Sequence, residues 1–257
     1  MNSEKLFIAF WTILVREVRR FTRIWAQTLL PPAITITLYY IIFGNLIGSR
    51  IGDMGGFNYM EYIVPGLIMM SVITNSYSNV VSSFYSSKFQ HNVEELLVSP
   101  VPNWIILWGY VFGGVARGLM VGVIVTLLSL FFTDLQVHNL GVTVLVVTLT
   151  AILFSIGGFI NAIFAQSFDD VSIVPTFVLT PLTYLGGVFY SINLLPDFWQ
   201  NVSLLNPILY MVNTFRYGIL GVSDISIGFA LTAIIICIGA MTFWASHLLK
   251  TGKGLRS

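Results

Sequence analysis

Long apolar runs alternate with short polar stretches from Thr28 onward, and six of the runs are long enough to cross a bilayer as helices. A hydrocarbon core about 30 Å thick needs roughly 20 apolar residues of helix, because no backbone polar group can stay unpaired in lipid. The runs predict spans at about Thr28 to Ile47, Tyr59 to Ser82, Trp104 to Phe132, Leu140 to Phe164, Val171 to Tyr190 and Gly228 to Leu249. Ahead of them Leu6, Phe7, Phe10, Ile13, Leu14 and Phe21 recur at helical spacing among charged residues. That pattern predicts an amphipathic helix, within residues 1–25, lying on the membrane surface. The stretch 191–227 is too long for a turn and carries Pro196, Trp199, Pro207, Tyr210, Phe215 and Tyr217. So many rings and prolines predict short helices that dip into the outer leaflet and return. The expected fold is therefore an all-α membrane protein: six transmembrane helices, an N-terminal amphipathic interfacial helix and a re-entrant outer segment before the last span. With no fixed-period repeat, low-complexity tract or linker, residues 1–257 read as one domain.

Composition supports this picture, and the position of each charge orients it. Over 257 residues, 56% are hydrophobic and 9% charged, with a mean hydropathy of +0.86; a soluble domain carries about 25% charged residues. Cytoplasmic loops accumulate Lys and Arg. Lys5, Arg16, Arg19, Arg20, Arg23, Lys88, Lys250, Lys253 and Arg256 fall on one side of an even number of spans, whereas Arg50 and Arg216 fall on the other. Both termini are expected in the cytoplasm. The N-terminus has no short apolar region with a small-residue cleavage site, so it is expected to stay in the mature protein.

Several chemistries lack their residues. Net charge is +1, which argues against a nucleic-acid partner. A phosphate-binding loop needs G-x-x-x-x-G-K-[ST], and the nearest stretch, Gly252-Lys253-Gly254, follows its lysine with glycine. Any ATP chemistry is expected from another chain. Cys237 is the sole cysteine, so no intrachain disulfide or thiolate cluster can form. His91, His138 and His247 fall in three different regions, so no metal site is expected. Every acid but Glu61 lies outside the spans or at their ends, and no catalytic residue is assigned.

Three features remain. In Lys88-Phe89-Gln90-His91-Asn92-Val93-Glu94-Glu95-Leu96-Leu97-Val98-Ser99-Pro100-Val101-Pro102, Asn92 can cap a helix whose first turn holds Glu94 and Glu95 and which Pro100 stops. Such a helix presents Leu96, Leu97 and Val98 to the bilayer, to the N-terminal helix or to a partner. Arg117 is the one fixed charge deep in a span, among Gly109, Gly113, Gly114, Gly118 and Gly122, whose spacings permit close helix packing. It either faces the bundle interior near a cytoplasmic gate or, if its span starts later, sits at headgroup level. Pro175 and Pro181 interrupt the fifth span and predict a kink there, beside a pathway or a dimer interface.

The string Glu94 to Pro102 resembles the coupling-helix motif of permease subunits of type-2 ABC exporters, the ABC-2 family. A second, distant stretch, Thr180-Pro181-Leu182-Thr183-Tyr184-Leu185-Gly186-Gly187-Val188-Phe189-Tyr190 with Leu195-Pro196, Asn206-Pro207, Tyr210 and Arg216-Tyr217, is similar to the fifth span and outer re-entrant region of that family. The resemblance implies half of an exporter in the bacterial inner membrane. Two copies would form a twelve-span unit working by alternating access, each docked to a separate ATPase subunit that binds ATP and magnesium. It implies that residues 88–102 form the cytoplasmic coupling helix, with Glu94, Glu95, Leu96, Leu97 and Pro100 at the ATPase interface. Asp169 and Asp170 would be a second contact, unless they simply cap the helix before Val171. A membrane assembly or scaffold factor, or an intramembrane enzyme, are the alternatives from other classes.

Overall fold

The structure, a computed structural model, describes residues 2–255, so Arg256 of the basic tail lies outside the described residues. The chain is helical almost throughout: α1 (Ser3–Arg23), α2 (Trp25–Thr28), α3 (Leu30–Tyr39), a π-helical stretch Tyr40–Ile47, α4 (Gly48–Ile51), α5 (Tyr59–Phe89), α6 (Asn92–Val98), α7 (Asn103–Ser129) and α8 (Leu140–Phe164) come first. Then follow α9 (Phe168–Val174), a π-helical stretch Pro175–Leu179, α10 (Thr180–Tyr184), a 3-10 turn Ile192–Leu194, α11 (Asp197–Leu204), α12 (Pro207–Leu220) and α13 (Ile227–Thr251). The two short strands β1 (Asp53–Met54) and β2 (Phe57–Asn58) form a hairpin, Asp53 opposite Asn58, turning through Gly55 and Gly56 at φ +63° and +84°. Positive φ at both turn residues is what a tight two-residue hairpin demands.

Among the described residues four segments are long and apolar enough to cross a membrane: Trp25–Gly44, α7, α8 and α13. The 31-residue α5 is longer still, but it is more polar. Ser71, Asn75, Ser76, Asn79 and Ser83 are all buried, because α7, α8 and α12 surround this helix. A helix that meets protein rather than lipid can carry polar groups, provided that they pair inside the bundle. An Asn58–Glu61 capping box starts it: the Asn58 side chain accepts from the Met60 amide at 3.1 Å, and Glu61 accepts from the Asn58 amide at 3.1 Å.

The first and fifth apolar runs depart from simple spans. Pro31 and Pro32 open α3, where their missing amides cost nothing. In the fifth run the kink expected at Pro175 and Pro181 takes the form of a widened turn. Residues Pro175–Leu179 are π-helical, and the Thr180 amide reaches back five residues to the Pro175 carbonyl. Pro181 has no amide to donate and its ring crowds the carbonyl four residues earlier, which a wider turn relieves. This helix starts at Phe168 and stops at Tyr184, short of the expected Tyr190, because Gly187 at φ +69° turns the chain away.

The loops gather at two ends of the bundle. At one end Lys88 Nζ donates to the Ile163 and Ala165 carbonyls at 2.6 and 2.8 Å. There α6, the end of α8 and Leu255 surround a cavity of about 430 Å³. At the other end the His138 and Asn139 amides donate to Ile219 and Gly218 carbonyls at 3.0 and 2.7 Å, joining the α7–α8 loop to α12.

Candidate functional site

The expected coupling segment is a helix. His91, at φ +60°, is its N-cap and Asn92 its first residue, so the cap sits one residue ahead of the Asn92 that the sequence predicts. His91 Nδ1 lies 3.2 Å from Glu94 Oε1, and the Asn92 amide group donates to Gln90 Oε1 at 3.2 Å. Glu94 and Glu95 are exposed in the first turn, where carboxylates suit the helix dipole. The apolar face is divided. Val93 is buried, Leu96 and Leu97 are half-buried against the core, and Val98 stands 86% exposed. The helix ends at Ser99, with Pro100 exposed beyond it.

Asp169 and Asp170 reach the same end of the bundle. Ser167 Oγ accepts from the Asp170 amide at 3.1 Å, and Asp170 Oδ2 accepts from the amides of Gln166 and Ser167 at 2.9 and 3.0 Å. These amide bonds, with the Ser167 hydroxyl, hold the Asp170 carboxyl below the usual range. Asp170 thus completes a capping box with Ser167, the N-cap, and Asp169 lies exposed beside it. Phe168 packs against Tyr85 and Phe89, ring centroids 4.9 and 5.2 Å apart. That edge-on and tilted ring packing ties this turn to the end of α5, from which α6 departs.

Arg117 points into the bundle, where Nη2 donates to Asn75 Oδ1 at 3.1 Å and to the Thr28 carbonyl at 3.3 Å. It borders a buried polar network that sequence reasoning missed. Glu17 of α1 is 1% exposed and ion-paired to Arg16 at 3.3 Å and Arg20 at 3.4 Å. Arg20 Nη2 donates to the carbonyl and side-chain oxygens of Asn79 at 2.9 and 2.8 Å. Arg16 Nη2 donates to the Tyr110 hydroxyl at 2.5 Å, which donates to Ser87 at 3.0 Å. One face of α1 is therefore wired to α5 and α7, while Phe7, Ile8 and Trp11 remain exposed.

Glycines make this approach possible. A Cβ on Gly109 or Gly113 would overlap Ile13 or Glu17 of α1, and one on Gly118 would overlap Ser76 of α5. The glycine series on α7 thus serves three neighbours, since a Cβ on Gly114 would also overlap Ser155 of α8. The available signal was Glu17 itself, standing between Ile13 and Phe21 at four-residue spacing in the apolar stripe of α1.

Pro175 and Pro181 lie apart from these groups, on a helix whose Ser172, Thr176, Phe177 and Thr180 are exposed. Among the described residues no group of three His, Cys, Asp or Glu is placed to hold a metal ion.

Comparison with known proteins agrees with this architecture. Residues 8–220 match the ABC-2 type transporter family. The chain is 60% identical over 251 residues to the inner membrane transport permease YadH of Escherichia coli K12, covering 98% of each chain, and the YadH of Shigella flexneri matches equally. Nodulation protein J of Rhizobium meliloti is 22% identical over 213 residues, 82% of this chain and 81% of that one. With the family match spanning most of the chain and the YadH match nearly all of it, this protein belongs to the ABC-2 family, as a multi-pass membrane transport permease of the inner membrane.

Proposed function

We propose that this permease is one half of an ATP-driven exporter, driven by a separate ATPase subunit that docks on α6. The observation that carries the reading is the placement of Glu94 and Glu95, exposed on a short helix between α5 and α7, at the end of the bundle that also holds Asp169 and Asp170. Leu96 and Leu97, half inside, give that helix a grip on the core, so a push on its acidic face is passed to α5. Pro100 ends the lever. The Asp169–Asp170 turn forms a second, smaller contact.

The same reading takes the chain through six crossings with both termini in the cytoplasm. The α5–α6 turn, the end of α8 and Leu255 share one cavity, whereas the hairpin and the α7–α8 loop belong to the other end, which supports alternating passage through the bilayer. Helices α11 and α12 lie between the fifth and sixth crossings as a re-entrant outer cap, all within the single domain 1–257. Ser172, Thr176 and Thr180 are exposed on the helix of the fifth crossing, and small hydroxyl residues are enriched where membrane helices pack together, which supports a second copy of the chain, or the pathway between copies, on that face. Pro175 and Pro181 shape this face, and Arg117 stands at the inner gate. ATP and magnesium belong to the partner, two copies per complex, and the cargo is amphipathic or lipid-like, moved by alternating access.

The reading is tested by co-purification. The cognate ATPase is expected to stay with the wild-type permease and to be retained at least about tenfold less by Glu94→Lys/Glu95→Lys, since reversed rim charges repel. Equal retention by correctly inserted wild-type and variant protein would remove α6 from the interface.

A further inference from the structure

Two buried donors without partners meet at a cavity on the end of the bundle away from α6. Arg216 of α12 is 1% exposed. Its Nη2 donates to the Gly187 carbonyl at 2.6 Å and its Nε to the Tyr62 carbonyl at 3.3 Å. The guanidinium lies 4.0 Å from the centroid of the Tyr62 ring. Arg216 Nη1 and the Tyr62 hydroxyl have no hydrogen-bond partner, and both residues line a cavity of about 330 Å³ together with Ser191, Asn193 and Asp224. Buried polar groups are paired as a rule, so two open donors beside one cavity ask for an acceptor.

Asp224 supplies the opposite charge. Its Oδ1 accepts from Ser191 Oγ at 2.9 Å and Asn193 Nδ2 at 3.3 Å, and its Oδ2 from the Ile192 amide at 3.3 Å. A carboxylate has about four acceptor positions, so one remains open on Oδ2. Arg216 and Asp224 form no ion pair with each other; the ion pairs found among the described residues involve other groups. The cavity thus offers a cation and an anion on separate parts of its wall. Its apolar edge is Leu194, 67% exposed, and the helix that follows, α11, presents exposed rings at Phe198 and Trp199. Exposed aromatic rings beside polar groups mark the headgroup level of a bilayer.

We infer that this cavity binds the head group of a zwitterionic phospholipid of the phosphatidylethanolamine type. The phosphate oxygens accept from Arg216 Nη1 and the Tyr62 hydroxyl, the ammonium donates to Asp224 Oδ2, and the acyl chains lie along Leu194 and Phe198. A head group that is only anionic would bring its phosphate near Asp224 with nothing to offset the carboxylate. A soluble phosphate–ammonium compound would have the same polar contacts but no chains for the apolar rim.

The full-length permease in detergent, titrated with phosphatidylethanolamine, phosphatidylglycerol or free phosphoethanolamine and read by native mass spectrometry, tests this without any ATPase, so its outcome is separate from that of coupling. Wild type is expected to prefer phosphatidylethanolamine over phosphatidylglycerol by roughly tenfold, the scale of one hydrogen bond to a charged group. Tyr62→Phe removes only the unpartnered hydroxyl and keeps the ring over Arg216, so it is expected to fold and to weaken retention of both lipids by about fivefold. Asp224→Asn is expected to abolish the preference while phosphatidylglycerol still binds. Equal retention of the two lipids by wild type, or no effect of Tyr62→Phe, would overturn the inference and leave ordered water as the occupant. Binding of free phosphoethanolamine as tight as that of the lipid would overturn the lipid as its source.

Discussion

At the residue scale the most constrained group is Glu17. A buried carboxylate is costly to desolvate unless it is paired, and here the pairing comes from Arg16 and Arg20, whose side chains are themselves partly exposed. Glu17→Ala is expected to lower the thermal unfolding temperature of the purified permease and to open Arg16 and Arg20 to trypsin. An unchanged melting curve and cleavage pattern would mean that α1 is not held by this pair. Asp170 behaves differently, being half-buried near the surface and stabilised by amide donors. Its carboxyl lies below the ordinary value of 3.8, so the folded pKa is the depressed one. Its contribution to the cap is complete above the ordinary value and is lost as pH falls through the lower, folded one. Amide exchange at Gln166 and Ser167 should quicken in that acid window, and Asp170→Asn should flatten the pH dependence.

At the element scale, local pattern and tertiary context can be separated helix by helix. The bounds of α8 are those expected from its apolar run, and α7 and α13 differ by a few residues, because helices that face lipid must be apolar along their length. The π-helical stretches were not legible. Periodicity distinguishes poorly between a kink and a widened turn at Pro175, since both answer the same missing amide at Pro181. The role of α1 was half legible. Its amphipathic spacing was plain, yet its docking on α7 depends on glycines about a hundred residues away. Because Gly113 faces Glu17 and Gly118 faces Ser76, the two positions should respond differently to a side chain. Gly113→Leu is expected to release α1, read as trypsin cleavage at Arg20, with the spans intact. Gly118→Leu is expected to separate α5 from α7 and to impair membrane assembly. Identical behaviour of the two variants would contradict the division of faces.

At the scale of the whole molecule, the basic residues predict which loops share an end, and the structure places Lys88 beside Gly254 and Leu255 at one cavity. The polar interior of α5 was not legible, because nothing in a sequence marks which helix of a bundle is surrounded by the others. The candidate site divides in the same way. Glu94, Glu95, Asp169 and Asp170 are local motifs and come together at one end. Arg20, Asn79, Arg216 and Tyr62 acquire meaning only through contacts distant in sequence, Arg216 reaching Tyr62 across 154 positions. Family membership makes the chain a transport permease, and the central claim beyond it is that α6 receives the work of ATP hydrolysis.

The most direct measurement is the rate of ATP hydrolysis in proteoliposomes that hold the cognate ATPase with either wild-type permease or Glu94→Lys/Glu95→Lys, under conditions where both permeases are inserted equally. Wild type should raise the rate several-fold over the ATPase alone, and the double variant should leave it near the unstimulated level. Equal stimulation by the two permeases would contradict the account.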